Sequence, residues 1–389
     1  MLRSATLILA LIVLVALGAR SVLREAPNPA IETALGAAGD NRAQLQQALD
    51  GCSDDERPGM EFLVANMPQA DRETLSAEFL LGHVRAAYRT WADVPWRDVV
   101  PDEVFRNAVL PYASVNERRD TWRADFRDRY TQHVASVTSP ALAAAILNRT
   151  IFKQLGVVYS TVRPKADQSP YESIDAGLAS CTGLSILLVD ACRSVGIPAR
   201  FVGTPLWSDG SGNHSWVEIW DDGWHFTGAA EPTGDDLDRA WFVDRARTAT
   251  RDDPRHGIYA VSFRRTPLRY PLVWDSAFDD LSGVDVTDRY TSAEEDVPSG
   301  YVRVRFRVLA PDSDERRAVN LLVEDADGTV VFEGRSKDER FDMNDDLTAV
   351  LRTGIQHVIR APGGAVQSFT ATADGPVVTV RIEDNSRGE

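Results

Sequence analysis

Cys181, His214 and Glu231 are the side chains whose types and spacing could together do chemistry. Cys181 opens a helical run over residues 180–195. Ser180 stands where an N-cap is wanted, Gly196 where a helix ends, and Pro198 stops it. Backbone N–H groups in a first helical turn are unsatisfied and the helix dipole is positive there, so a thiolate is favoured and a developing oxyanion can be held. A lone cysteine beside an apolar helix reads more simply as core, so Cys181 needs a companion.

His214 supplies one. It begins a strand over residues 214–220, followed by a second strand over 224–227, with Asp222-Gly223 between them as a two-residue hairpin signal. In that register Trp220 faces His225, Glu218 faces Thr227, and His214 faces Glu231. Directly opposed side chains have Cβ atoms about 4.5–5.5 Å apart, so a carboxylate arrives beside the imidazole. A bulge near Gly228-Ala229-Ala230 would break this register, and a surface His–Glu pair is the plainer reading of the hairpin alone. Asp235 and Asp236 are the alternatives for the acid.

A thiol at a helix start and a His–carboxylate pair are the parts of a Cys–His–acid triad: nucleophile, proton carrier and orienting group. The segments Ser180-Cys181-Thr182-Gly183-Leu184-Ser185, Gly196-Ile197-Pro198-Ala199-Arg200, His214-Ser215-Trp216-Val217-Glu218 and Glu231-Pro232-Thr233 resemble, in order and spacing, the core of the transglutaminase-like superfamily. The resemblance is strongest over residues 171–246, and the helices upstream, including Val109-Leu110-Pro111-Tyr112, are similar to the leader of bacterial members. It implies a papain-like α+β core in which helix and sheet meet, and acyl transfer from an amide or peptide bond through an acyl-enzyme. Hydrolysis is favoured over transamidation, since water is the default acceptor. The family's third residue is usually Asp, and Glu231 stands in its place. Glu218 reads as structural. Trp207, Trp216, Trp220, Trp224 and Trp241 crowd the region; at this density they read as core, with cleft walls as the alternative.

The elements that must position these residues fall into four stretches. Residues 1–25 read as a signal peptide or N-terminal anchor: Arg3 precedes an uncharged run from Ala5 to Ala19, about 22 Å of helix against a hydrocarbon core of about 30 Å. Residues 26–158 form a helical N-terminal region, with apolar three- and four-residue spacings at 75–87 and 122–137. Residues 159–285 are the catalytic core. Residues 300–386 are a β-sandwich, transthyretin- or immunoglobulin-like, whose strand 301–309 alternates Val302, Val304, Phe306 and Val308 against Arg303, Arg305 and Arg307. Strand-like runs follow at 319–324, 329–333, 356–360, 367–373 and 377–382.

Three cysteines are present. Cys192 lies eleven residues along the helix from Cys181, about 16 Å away, too far for a disulfide. It joins Leu184, Leu188 and Val195 in the core stripe; whether it pairs with Cys52 is open. The six histidines lack zinc-motif spacing, and the acidic run 342–346 lacks EF-hand spacing, so neither metal nor cofactor is expected. With a net charge of −16 and no basic patch, nucleic-acid binding is excluded as an expectation. The expected partner is a protein or peptide substrate, met outside the cytoplasm in a bacterial envelope, with membrane anchoring only through the N-terminal segment. The alternative is a non-catalytic envelope binding protein on the same core. A thiol–disulfide oxidoreductase is disfavoured, since no Cys-x-x-Cys occurs.

Overall fold

The computed structural model describes residues 28–292 and 297–382, so the expected signal segment lies outside the described residues. The described residues fall into two compact units, divided between Leu81 and Gly82. The first is helical: Pro29–Ala37, Arg42–Asp50, Arg57–Asn66 and Gln69–Thr74, with Ile31, Leu35, Leu45, Leu49 and Leu63 buried. No helix among the described residues is long and apolar enough to cross a membrane.

The second unit carries the chemistry. Four helices matter here: α1 (Trp122–Val134), α2 (Pro140–Leu155), α3 (Pro170–Ala176) and α4 (Cys181–Ser194). Gly156 and Gly177 end α2 and α3 in the left-handed conformation, with φ of 68° and 66°. Two short parallel strands, β1 (Val158–Tyr159) and β2 (Leu178–Ala179), bring the chain to the start of α4. From Thr182 to Ser194 every residue of α4 is buried. The expected apolar stripe is therefore wider than the sequence pattern indicates: α1 and α2 pack on α4 as well as the sheet. Within this buried helix, Arg193 donates to the carbonyls of Ala113 and Ala199 at 2.8 and 3.1 Å.

The sheet is five-stranded, in the order β5-β4-β3-β6-β7, with β3 (Ala199–Thr204), β4 (His214–Trp220), β5 (Trp224–Thr227), β6 (Tyr259–Val261) and β7 (Gly283–Asp285) all antiparallel. β3 and β4 face α4 and are almost wholly buried. Glu218 holds β4 to its surroundings: its carboxylate accepts from Arg200 Nε at 2.7 Å and Tyr290 Oη at 2.8 Å, and from Arg289.

The C-terminal region is a sandwich of two sheets. One has the order β10-β9-β12-β13 and the other β11-β8-β14, from β8 (Tyr301–Leu309), β9 (Asn320–Glu324), β10 (Val330–Arg335), β11 (Leu347–Arg352), β12 (Gln356–Arg360), β13 (Val366–Thr370) and β14 (Val377–Arg381). Val304, Phe306 and Val308 form its core with Leu321, Val323, Ile359 and Val380. The alternation of β8 is as the sequence implies, whereas β11 is a strand the sequence pattern did not reveal. The α+β architecture, with a helical N-terminal region and a C-terminal sandwich, matches the expected fold class.

Candidate active site

Cys181 is the first residue of α4 and Ser180 the N-cap, in extended conformation. The Ser180 hydroxyl does not cap the helix. It donates to the Ala166 carbonyl at 3.0 Å, tying the preceding loop to the helix start. Thr182, the next residue along α4, shares a hydrogen bond with Ser215 on β4 at 3.2 Å. Since Cys181 and His214 precede these two, the contact sets thiol beside imidazole.

The hairpin register differs from the expectation by one residue. Trp220 pairs with Trp224, Glu218 with Phe226 and Val217 with Thr227. Asp221 joins the turn, Asp222 and Gly223 take φ of 54° and 147°, and the loop therefore has three residues. Pairing ends at Thr227, and Ala230 is left-handed at φ 63°. His214 pairs instead with Thr204 on β3. Glu231 thus does not oppose His214 across the hairpin. It lies nearby in a loop, and its carboxylate accepts from Trp241 Nε1 at 2.9 Å. Burial pushes that carboxyl up to about 7, against the pull of the His214 charge.

The carboxylate on His214 comes from the sandwich. Asp342, in the loop between β10 and β11, places Oδ2 3.3 Å from His214 Nδ1, and the two side chains are 2% and 1% exposed. That is an ion-pair distance, slightly long for a hydrogen bond. Its other oxygen accepts from Asn344 N at 2.9 Å. Burial opposes its ionisation, but the charge of His214 holds the Asp342 carboxyl below the usual range. For His214 burial alone would favour the neutral ring. The Asp342 charge and the Cys181 sulfur reverse this and raise the imidazole well above its ordinary value. Asp235 and Asp236 are exposed, and Asp235 pairs with Arg149.

Arg316 fixes the Asp342 loop. This buried guanidinium donates to the carbonyls of Asp338 and Asp342 at 2.8 and 2.9 Å, to Asp345 at 3.3 Å, and to Phe341. From the core side, Tyr159 Oη accepts from Met343 N at 3.0 Å. The imidazole is packed among rings, with Trp241 and Phe242 centroids at 4.8 and 5.0 Å and Trp216 and Trp207 at 5.8 and 6.2 Å. Trp207 and Trp216 are buried, while Trp241 also borders a cleft of about 600 Å³ along the seam with β8.

Cys181 opens instead on a cleft of about 330 Å³, lined by Tyr159, Arg163, Thr182, Trp274, Asp342 and Met343 among others. The donor atoms of Cys181, His214 and Asp342 all lie within 4.8 Å of one another. Thiol, imidazole and carboxylate so placed could also hold a divalent ion, a set unannounced by sequence spacing; an ion there would mask the nucleophile. Cys52, Cys181 and Cys192 are all free thiols.

Residues 128–228 match the family model Transglut_core, described as the Transglutaminase-like superfamily. No curated protein matches the chain. Among solved structures, a proposed cysteine protease from Cytophaga hutchinsonii is similar at 16% identity over 28% of this chain and 38% of its own, with a TM-score of 0.25. The TIE protein of Bacillus anthracis aligns at 7% identity over 48% of this chain and 30% of its own, with a TM-score of 0.18. The red sea bream transglutaminase aligns at 9% identity over 72% of this chain and 66% of its own, with a TM-score of 0.30. The chain therefore spans less than two thirds of each of these proteins. The stretch similar to the Transglutaminase-like superfamily model, residues 128–228, contains both the helix-borne Cys181 and the strand-borne His214.

Proposed function

We propose that this protein is a cysteine-dependent acyl-transfer enzyme acting on amide or peptide bonds, with Cys181 as nucleophile, His214 as proton carrier and Asp342 as the orienting acid. The observation that carries this reading is the approach of Asp342 Oδ2 to His214 Nδ1, in a group that includes the Cys181 thiol. Asp342 replaces Glu231 in the role.

In the proposed reaction the Cys181 thiolate attacks the carbonyl carbon and the electron pair moves to oxygen, near the unsatisfied N–H groups of the first turn of α4. Collapse breaks the C–N bond, and the imidazolium of His214 protonates the departing amine. A thioester remains on Cys181. Water then gives a proton to His214 and attacks the thioester, releasing the acid and restoring the thiolate. Hydrolysis is favoured over transamidation, water being the acceptor at hand. The substrate is a protein or peptide, and the apolar segment before Ala19 supports an exported enzyme.

A panel of fluorogenic peptide amides, with and without a primary amine as second acceptor, tests this. The expected result is amide cleavage that is lost in Cys181→Ala and reduced to near background in His214→Ala, with acid as the main product. Amine adducts as the main product would make the enzyme a transamidase. Peptide binding with no turnover anywhere in the panel would favour a binding protein built on the same core.

A further inference from the structure

The cleft at Cys181 is uneven in charge. Of its lining side chains outside the Cys181 thiol, two carry a full charge: Asp342, committed to His214, and Arg163. Arg163 is half-buried. Its Nη1 donates to the carbonyl of Thr161, two residues back, at 2.6 Å, and its buried Nε has no hydrogen-bond acceptor among the described residues. No carboxylate among them pairs with it. Arginines beside the neighbouring cleft behave otherwise: Arg245 and Arg305 both pair with Asp209, and Arg303 with Asp244. In a chain with 58 acidic residues against 42 Lys and Arg, a cation without a carboxylate partner at the nucleophile's cleft stands out.

The loop that carries Arg163 is held at both ends to the segment that starts α4. Ser160 N donates to Ala179 O at 2.8 Å, Ser180 Oγ to Ala166 O at 3.0 Å, and Lys165 pairs with Glu172 at 3.0 Å. The guanidinium is therefore presented from a fixed frame, with donors left over. A guanidinium matches a carboxylate through paired, charge-assisted hydrogen bonds. The protein's net charge of −16 repels anions at long range, so an anionic substrate needs such a local contact.

We infer that Arg163 recognises a carboxylate on the acyl donor, so that the substrate is a peptide whose reacting amide lies close to an acidic side chain or a free α-carboxylate. This rests on Cys181 being the nucleophile.

Two small alkylating agents test the contact without a known substrate. With iodoacetate and iodoacetamide alike, the Cys181 thiolate attacks the methylene carbon, the C–S bond forms, the C–I bond breaks and iodide leaves. The reagents differ in carboxylate against carboxamide. The ratio of their rate constants at Cys181, read by mass mapping, is expected to fall by about three- to tenfold in Arg163→Gln, the scale of one charge-assisted hydrogen bond in a half-exposed site. Arg163→Lys should retain part of the ratio, and the iodoacetamide rate should stay within about twofold. Raising salt to about 1 M, where the Debye length is about 3 Å, should shrink the wild-type ratio.

Matched peptides competing with alkylation then identify the source of the carboxylate. One pair differs as Glu against Gln beside a blocked amide, and the other as a free against an amidated C-terminus. The pair whose difference in protection vanishes in Arg163→Gln names it. A ratio unchanged in Arg163→Gln, with Cys181 still the fastest thiol, overturns the inference but leaves the nucleophile in place. Neither peptide pair discriminating also overturns it. Failure of Cys181 to react faster than Cys52 and Cys192 with either reagent removes the reading beneath, and the inference falls with it.

Discussion

Replacing Asp342 with Asn should disable Cys181 while leaving the chain folded. The carboxylate and imidazole are 3.3 Å apart and almost wholly buried. At an effective dielectric of about 20, two unit charges at that separation attract by about 5 kcal/mol. Removing one member of a buried pair costs about 3–5 kcal/mol, which at 1.36 kcal/mol per decade is about two to four decades. The sign follows from the shift: Asp342 raises His214, so its loss lowers the imidazole and weakens the imidazolium that faces the sulfur. Asparagine keeps an oxygen for the Asn344 N–H and most of the side-chain shape. Amide turnover should fall by about 10²- to 10⁴-fold. Alkylation of Cys181 at near-neutral pH should fall by about a hundredfold. Glu231→Gln is the control, since its carboxyl is bonded to Trp241, and it should stay within about threefold of wild type. Circular dichroism checks folding. Wild-type reactivity in Asp342→Asn together with collapse in Glu231→Gln would return the orienting role to Glu231.

Two further outcomes are expected. Arg316→Met removes one donor from each of four loop carbonyls, two of which, Asp338 and Asp342, keep a backbone N–H; it should cost about 2–4 kcal/mol in urea unfolding and bring alkylation of Cys181 towards the Asp342→Asn rate, and unchanged reactivity in the folded variant would show that the loop holds itself. Glu231 binds its proton up to about 7 in the folded protein against an ordinary 4.5, so its contribution to stability is complete at low pH and is lost as pH climbs through that interval. Glu231→Gln should therefore flatten the urea midpoint between about pH 4.5 and 7, and an unaltered slope there would contradict the shift.

The helix that presents Cys181 and the strand that presents His214 were both readable from local signals: a cap position, a glycine and proline stop, and β-branched and aromatic runs. The third residue was not. Asp342 reaches His214 from a loop far along the chain, and no local pattern marks it; in sequence the acidic run 342–346 raises only the question of calcium. The hairpin count points to Glu231 because it takes a two-residue loop, Asp222-Gly223, where the loop has three residues from Asp221 to Gly223. A one-residue slip is enough to put the wrong side chain opposite the histidine. Strand β11 went unseen because Ala349 and Val350 are adjacent apolar residues and blur the two-residue period. The clamp on Asp342 was equally hidden, since Arg316 acts through backbone carbonyls, which leave no trace in residue types.

The most direct test of the account is the search for a thioester on Cys181. The protein is mixed with an activated peptide ester or anilide, quenched in acid within one turnover, and mapped by mass. The acyl mass is expected on Cys181 alone, with none in His214→Ala and slower formation in Asp342→Asn. Turnover that survives in Cys181→Ala, or an acyl group found on Cys52 or Cys192 instead, would contradict it.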